Sequence, residues 1–214
     1  MNSLIDRFLR YVKIDTQSDH ESKTFPSTEK QKDLSRLLVK ELEEMGLNAF
    51  LDKDGYVYTK IEKNIEGKKA IGFIAHVDTS PDAPGANVNP RIIKQYDGST
   101  IKLNDELSMH PKDYPSLSRV IGDDIIVTDG HTLLGADDKS GVTIMLYMLD
   151  KNVPGLYYFF IGEERGGIGS NKVSSEFDSF DYLKNIKRCV SFDRRRTGSI
   201  ITQQLGRVCC SNEF

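Results

Sequence analysis

The pattern of apolar and polar residues predicts two amphipathic helices near the start of the chain. The first spans residues 3–13, and the second runs from Thr28 to Met45, with Gly46 as its stop. Thr28 and Gln31 have the spacing of a capping box, in which both side chains bond the backbone at the start of a helix. The predicted inner face of the first helix consists of Leu4, Ile5, Phe8, Leu9 and Val12.

Apolar runs after these helices predict the strands of a sheet. Asp54-Gly55 is a turn pair typical of a hairpin, and apolar runs flank it on both sides. Residues 79–122 are rich in Pro, Asn and Asp and predict a long excursion with short strands. The predicted strands are 47–51, 56–61, 70–75, 125–128, 156–161 and 188–192, and a buried helix is predicted at 141–149.

Strands that alternate with helices indicate an α/β fold. We expect a three-layer α/β/α sandwich with a mostly parallel mixed sheet, formed by residues 1–214 as a single domain. The sequence shows no internal repeat and no clear linker between domains.

Composition narrows the classes of function. The net charge of −3 gives no basic footprint, which argues against a nucleic-acid partner. Apolar runs are too short to span a membrane, and the amino-terminal residues lack the apolar core of a secretory signal, so a cytoplasmic location is expected. The sequence has three cysteines, Cys189, Cys209 and Cys210. Their odd number argues against a disulfide framework, and the lack of CxxC spacing argues against a thiolate metal site.

Candidate chemistry follows directly after four of the predicted elements. Ligands of open α/β sheets gather at the carboxyl ends of the strands, so polar residues at these places are candidates for a site. One histidine and several carboxylates are therefore expected at one edge of the sheet. They are His76 and Asp78, Asp137 and Asp138, Glu163 and Glu164, and Asp193.

Each pair has a plain structural interpretation beside a functional one. His76 and Asp78 point the same way in an extended chain, so the carboxylate either orients a metal-bound imidazole or satisfies a buried one. Asp137 and Asp138 either cap the following helix or supply a carboxylate that bridges two metals. Two glutamates behind an apolar strand cost free energy unless a cation compensates them.

As a set, these donors suit zinc, with cobalt or manganese as substitutes. Two ions about 3.5–4 Å apart would polarise a carbonyl and activate a water for peptide-bond hydrolysis. A serine nucleophile is disfavoured because the sequence contains no G-x-S-x-G motif.

Several phrases of the sequence resemble the peptidase T family, in the superfamily of dizinc aminoacylases and carboxypeptidases. They are RFLRYVKIDTQS, PSTEKQ, LLVKELEEMGL, IGFIAHVDTSPDAPGANVNP and TDGHTLLGADDKSG, and the likeness is nearly continuous from residue 1 to residue 150. The resemblance implies a zinc-exopeptidase-like fold and a tripeptide aminopeptidase with two Zn²⁺ and short peptide substrates. It implies His76, Asp137, Glu164 and Asp193 as metal ligands, Asp78 as the orienting catalytic carboxylate and Glu163 as the general base.

The chain departs from the family at its carboxyl-terminal end. Arg194-Arg195-Arg196 follows Asp193 where the family has glycines, and neither the family's last histidine ligand nor its lid and dimerisation domain is found before Phe214. Three explanations are open: the chain is a fragment, a partner supplies the histidine, or the second metal is weakly held. His20, His110 and His131 are the internal substitutes.

These departures leave two alternatives to the tripeptide aminopeptidase. One is a metal- or peptide-binding remnant without turnover, and the other is a related metal-dependent acylase or amidohydrolase. An oligomer is compatible with the sequence, although the domain that forms the family's dimer is not expected here. The basic run 194–196 is either a solvated turn or an attractor for a peptide carboxylate.

Overall fold

The computed structural model describes residues 4–62, 71–176, 188–193 and 201–203. Within these ranges the helices are α1 (Leu4–Tyr11), α2 (Gln31–Glu44), α3 (Ala136–Asp150) and α4 (Ile168–Glu176), with a 3₁₀ helix at Pro115–Val120. The strands are β1 (Phe50–Leu51), β2 (Val57–Ile61), β3 (Ile71–His76), β4 (Arg91–Ile93), β5 (Ile101–Lys102), β6 (Ser108–Met109), β7 (Ile125–Val127), β8 (Gly155–Phe160), β9 (Arg188–Ser191) and β10 (Ile201–Gln203). Residues 194–196, Cys209 and Cys210, on which predictions were made, lie outside the described residues.

Six strands form the main sheet in the order β1-β2-β8-β3-β9-β10. The three central strands β8, β3 and β9 are parallel to one another. The outer strands pair antiparallel with their neighbours: β1 with β2, β2 with β8 and β10 with β9. The predicted α/β class and mixed sheet are confirmed, and the hairpin at Asp54-Gly55 connects β1 to β2. Parallel pairing is confined to the centre of the sheet.

The core lies between the sheet and the long helices. Helix α2 contacts β1 and β2, α3 contacts β3, and α1 contacts α3. The apolar stripe predicted for α2 is confirmed, because Leu34, Leu38 and Leu42 are fully buried in the same cluster as Val142 and Met145 of α3. None of the helices in the described ranges combines the length and the apolar character needed to cross a lipid bilayer.

The predicted excursion carries short strands, as expected. Strand β4 pairs with β7 and β5 pairs with β6, both antiparallel. Tyr96, Ile101 and Leu117 form the centre of a separate small apolar cluster. The excursion therefore has its own core beside the main one.

The face predicted for α1 is partly wrong. Leu4 and Ile5 are 38% and 39% exposed, whereas Arg7 is only 5% exposed. Arg7 is buried because its Nε donates to Glu41 Oε2 at 3.2 Å and its Nη1 donates to Asp150 Oδ2 at 2.7 Å. A cation with two carboxylate partners can occupy the inner face that an apolar side chain was expected to fill.

The predicted capping box of α2 is also wrong. The residue before the helix is Lys30, and no side chain caps the first turn. The Thr28 hydroxyl instead donates to the Gln17 carbonyl at 2.7 Å. The Gln31 amide turns toward Ser18, Ser27 and Thr28. Both side chains bond the segment that leaves α1, away from the helix backbone.

Candidate metal centre

The three central strands bring the candidate residues to one edge of the sheet, because parallel strands end on the same side. His76 is the last residue of β3, Glu164 follows β8, and Asp137 lies in the first turn of α3. These three residues each offer a ligand atom, and the three atoms lie within 4.8 Å of one another. His76 Nε2 is 3.2 Å from Asp137 Oδ1. The predicted convergence of imidazole and carboxylates is present in the structure.

The orientation of the His76 ring is fixed by Asp78. Nδ1 lies 2.9 Å from the Asp78 main-chain carbonyl oxygen and 3.5 Å from Asp78 Oδ1. A carbonyl oxygen only accepts hydrogen bonds, so Nδ1 carries the proton and Nε2 faces Asp137. Burial opposes a positive charge on His76, but its bonds to Asp137 and Asp78 and the nearby carboxylates outweigh burial and hold its pKa well above the usual value. In the absence of a metal, Nε2 carries a proton that donates to Asp137.

Asp78 is fully buried and joins two parts of the site. Its Oδ1 accepts from the Glu163 amide at 3.1 Å, and its Oδ2 accepts from the Glu164 amide at 3.2 Å and from Ser18 Oγ at 2.7 Å. Burial disfavours the carboxylate, yet the contacts with His76, Ser18 and Glu163 prevail and lower the pKa of Asp78. The side chain stays ionised and connects the end of β3 to the turn after β8.

Asp138 anchors the start of α3. Its Oδ2 accepts from the His76 amide at 3.2 Å, and its Oδ1 accepts from the Gly141 amide at 3.1 Å. Burial, with Asp193 nearby, raises the pKa of Asp138 to about 7 despite the opposing effect of His76. The peptide bond between Asp137 and Asp138 is cis. Asp138 therefore holds the backbone beside the ligand group, a role that the sequence pattern did not separate from that of Asp137.

Lys139 was not singled out by the sequence pattern, although it is almost fully buried at the site. Its Nζ donates to the Ile14 carbonyl at 2.6 Å. Burial lowers the pKa of this amine to about 8, with Asp15 opposing the shift. The contact attaches the first turn of α3 to the segment that follows α1.

The two glutamates after β8 differ in position. Glu164 belongs to the group of three ligand atoms, whereas Glu163 Oε2 lies 4.0 Å from His76 Nε2. Burial raises the pKa of Glu164 to about 7, and His76 opposes this while Asp137 and Glu163 reinforce it. Burial also raises the pKa of Glu163, and Asp193 adds to the shift. Both carboxylates are destabilised as anions, which is the condition that a bound cation relieves.

Asp193, His20 and His110 are not part of the group formed by His76, Asp137 and Glu164. Asp193 follows β9 and is close enough to Asp138 and Glu163 to raise their pKa values, but it is not among the three clustered ligands. His110 Nδ1 lies 2.9 Å from Thr100 Oγ1, and His20 is 3.7 Å from Asp82. Of the described histidines, the ligand group includes His76 alone.

Metal binding to this group is expected to release protons at pH 7. His76 has a raised pKa and Glu164 has a pKa of about 7, so a metal must displace protons from both, and its affinity should rise with pH from 6 to 8. Isothermal titration of zinc in two buffers with different ionisation enthalpies measures this release. Identical heats in the two buffers would contradict the expectation.

About two thirds of the chain is similar in sequence to known peptidases T. No family model matches the sequence. The chain is 52% identical over 143 residues to a peptidase T of Staphylococcus aureus, and 51% identical over 146 residues to a peptidase T of Clostridium acetobutylicum. Each alignment covers 66% of this chain, but only 35% and 36% of the two relatives. The chain thus spans about a third of the length of these proteins.

Solved structures share the fold. A tripeptidase of Staphylococcus aureus has a TM-score of 0.58 at 22% identity, covering 90% of this chain and 43% of its own. An aminoacylhistidine dipeptidase of Vibrio alginolyticus has a TM-score of 0.56 at 20% identity, covering 91% of this chain and 33% of its own. The similarity to these two structures shows the fold. The sequence identity of 52% and 51% shows the relationship to the two peptidases T. Over the aligned two thirds of its length, this chain is a relative of the peptidases T, and it has the α/β fold of the tripeptidase and dipeptidase structures.

Proposed function

We propose that this chain forms the metal-binding catalytic part of a zinc-dependent aminopeptidase that removes the N-terminal residue from tripeptides or other short peptides. The observation that carries the proposal is the convergence of His76, Asp137 and Glu164 within 4.8 Å at the carboxyl edge of the parallel strands. Kinship with peptidase T supports the reaction class, and the short peptide substrate is what the resemblance implies. Residues 1–214 would form one catalytic-type domain. The enzyme would act in the cytoplasm.

The donor set fits zinc. One imidazole nitrogen and carboxylate oxygens are borderline to hard ligands, which zinc accepts and for which cobalt and manganese compete. Burial raises the pKa values of Glu163 and Glu164, so a cation at their side would stabilise both anions. His76, Asp137 and Glu164 would hold metal, and Asp193 is proposed as a further ligand of the same ion as His76.

Glu163 is suited to move protons during hydrolysis. When bound, two zinc ions would polarise the scissile carbonyl and acidify a water. The side chain of Glu163 is 37% exposed, so its carboxylate is open to solvent. Its raised pKa brings it closer to neutrality, where a carboxylate both accepts a proton from water and returns one to the leaving amine.

The other residues hold the site in place. Asp78 accepts bonds from the amides of Glu163 and Glu164, and its main-chain carbonyl orients His76. Asp138 fixes the main chain at His76 and Gly141.

The test combines metal content with peptide hydrolysis. The purified chain is expected to take up zinc, measured by elemental analysis, and to release the N-terminal residue of a tripeptide, measured by chromatography. A chelator should abolish hydrolysis, and added zinc should restore it. Hydrolysis that is indifferent to the chelator would contradict the proposal, as would zinc uptake without turnover. Preferential cleavage of N-acylated amino acids in the same assay would indicate an acylase instead.

A further inference from the structure

A continuous series of buried hydrogen bonds runs from helix α2 to the metal centre. Gln31 Nε2 donates to Ser18 Oγ at 3.3 Å, and Ser18 Oγ donates to Asp78 Oδ2 at 2.7 Å. Gln31, Ser18 and Asp78 are 0%, 4% and 0% exposed. Ser18 and Gln31 come from the phrases DTQS and PSTEKQ, which the proposed reaction leaves without a role.

Counting hydroxyl protons fixes the direction of these bonds. Ser18 has one hydroxyl proton, which it gives to Asp78, and Thr28 gives its own to the Gln17 carbonyl. Both hydroxyl oxygens therefore need a donor from elsewhere. The Gln31 Nε2 group lies 3.3 Å from each of them and 2.9 Å from Ser27 Oγ, so its two protons are shared among three hydroxyl oxygens. The amide oxygen of Gln31 has no proton to donate to Ser18 or Thr28.

The same orientation leaves the other side of the amide unsatisfied. Within the described part of the chain, the buried Gln31 Oε1 has no hydrogen-bond partner. Burying such an acceptor costs about 1–3 kcal/mol of stability. The bonds to Ser18, Ser27 and Thr28 together account for this amide orientation, and the bond to Ser18 is the one that leads to Asp78.

Backbone contacts hold Ser18 in register with Asp78. The Ser18 amide donates to the Thr79 carbonyl at 2.9 Å, and the Thr79 amide donates to the Thr16 carbonyl at 3.1 Å. Gln17 and Thr79 form a parallel bridge. The hydroxyl of Ser18 is thus positioned by main-chain bonds on the residue next to Asp78.

The bond from Ser18 is the shortest that Asp78 receives. The amides of Glu163 and Glu164 lie at 3.1 and 3.2 Å, one on each carboxylate oxygen. Rotation of the Asp78 carboxylate would weaken both of these bonds and shift the turn that carries Glu164. Loss of the Ser18 bond would therefore disturb the turn that carries Glu164.

We infer that Ser18 and Gln31 are positioning residues of the metal centre, which act through Asp78 to hold Glu164 and His76 in the arrangement that binds zinc. The inference rests on the proposed function. Outer partners of this kind contribute about 10–100-fold to metal affinity. Ser18→Ala is expected to weaken zinc binding by about 10-fold, and Gln31→Met by a smaller factor in the same direction.

The test measures zinc affinity of the purified chain by competition with a chromophoric chelator, alongside thermal unfolding without metal. Cobalt is added in parallel, because its visible absorption spectrum reports ligand geometry. Ser22→Ala is the matched control, since that hydroxyl bonds Thr24 in the loop after Ser18. Weaker zinc binding and a changed cobalt spectrum in Ser18→Ala, with both unchanged in Ser22→Ala, are the expected results.

Gln31→Met separates positioning from simple stability. This substitution removes the donor together with the unsatisfied oxygen, so stability should change little while zinc affinity falls. If Ser18→Ala does not fold, the zinc affinity of Gln31→Met still tests the positioning role. Wild-type affinity and spectrum in Gln31→Met would overturn the inference and leave the proposed function intact. Failure of the wild-type chain to bind zinc would overturn the proposed function itself.

Discussion

Glu164→Gln is expected to weaken zinc binding by at least ~100-fold, the upper range found for outer partners, because it removes the charge of a proposed metal ligand. Glu164 is one of the three residues whose ligand atoms lie within 4.8 Å. Glutamine keeps the shape of the side chain, so packing at the end of β8 is preserved. Competition with a chromophoric chelator at neutral pH gives the affinity.

The neighbouring residue is the matched control for this change. Glu163→Gln makes the same chemical substitution one position earlier, outside the group of three. It should weaken zinc binding far less than Glu164→Gln while reducing tripeptide hydrolysis by ~10²–10⁴-fold, the usual contribution of a general base. Equal losses of zinc affinity in the two variants would contradict the separation of ligand and proton carrier.

Glu41→Ala is expected to destabilise the fold by about 3–5 kcal/mol, because it leaves a buried cation short of a partner. Glu41 accepts from Arg7 Nε at 3.2 Å, from Arg10 Nη2 at 2.6 Å and from the Tyr11 hydroxyl at 2.7 Å. Arg7 would keep only Asp150, at 2.7 Å. Urea unfolding of the metal-free chain measures the change.

Glu43→Ala is the control for this substitution, since Glu43 is exposed on the same helix. Its effect should stay within about 0.5 kcal/mol, as for most surface positions. A loss below about 1 kcal/mol in Glu41→Ala would show that Asp150 and solvent compensate the three bonds. The expected difference between the variants isolates the network that joins α1 to α2.

The sequence predicted which side chains converge better than it predicted the helix details. Apolar runs located β3, β8 and β9, and a parallel arrangement was enough to bring His76, Glu164 and Asp193 toward one edge. That inference needs only the direction of the strands. It does not need side-chain conformations.

The errors arose where a polar side chain found a partner distant in sequence. Arg7 lies on the inner face of α1 because it forms ion pairs with Glu41 and Asp150. The periodicity of apolar residues cannot reveal ion pairs between residues distant in sequence. Gln31 was expected to cap its own helix, but it bonds Ser18 instead. Helix α3 spans Ala136–Asp150, but Asp137 and Asp138 have non-helical backbone angles, and Asp138 Oδ1 accepts from the Gly141 amide where the predicted helix begins.

The order of strands in the sheet determines when this fold can form. Strands β2 and β3 are neighbours along the chain, yet β8 lies between them, antiparallel to one and parallel to the other. The hairpin and β3 therefore have no common partner until residues 155–160 have been synthesised. Contacts of such long sequence separation slow folding and delay it during translation. Until β8 has been synthesised, the edges of β2 and β3 that it later covers have no partner in the nascent chain. A chaperone that binds these edges would act before the proposed metal ligands could come together.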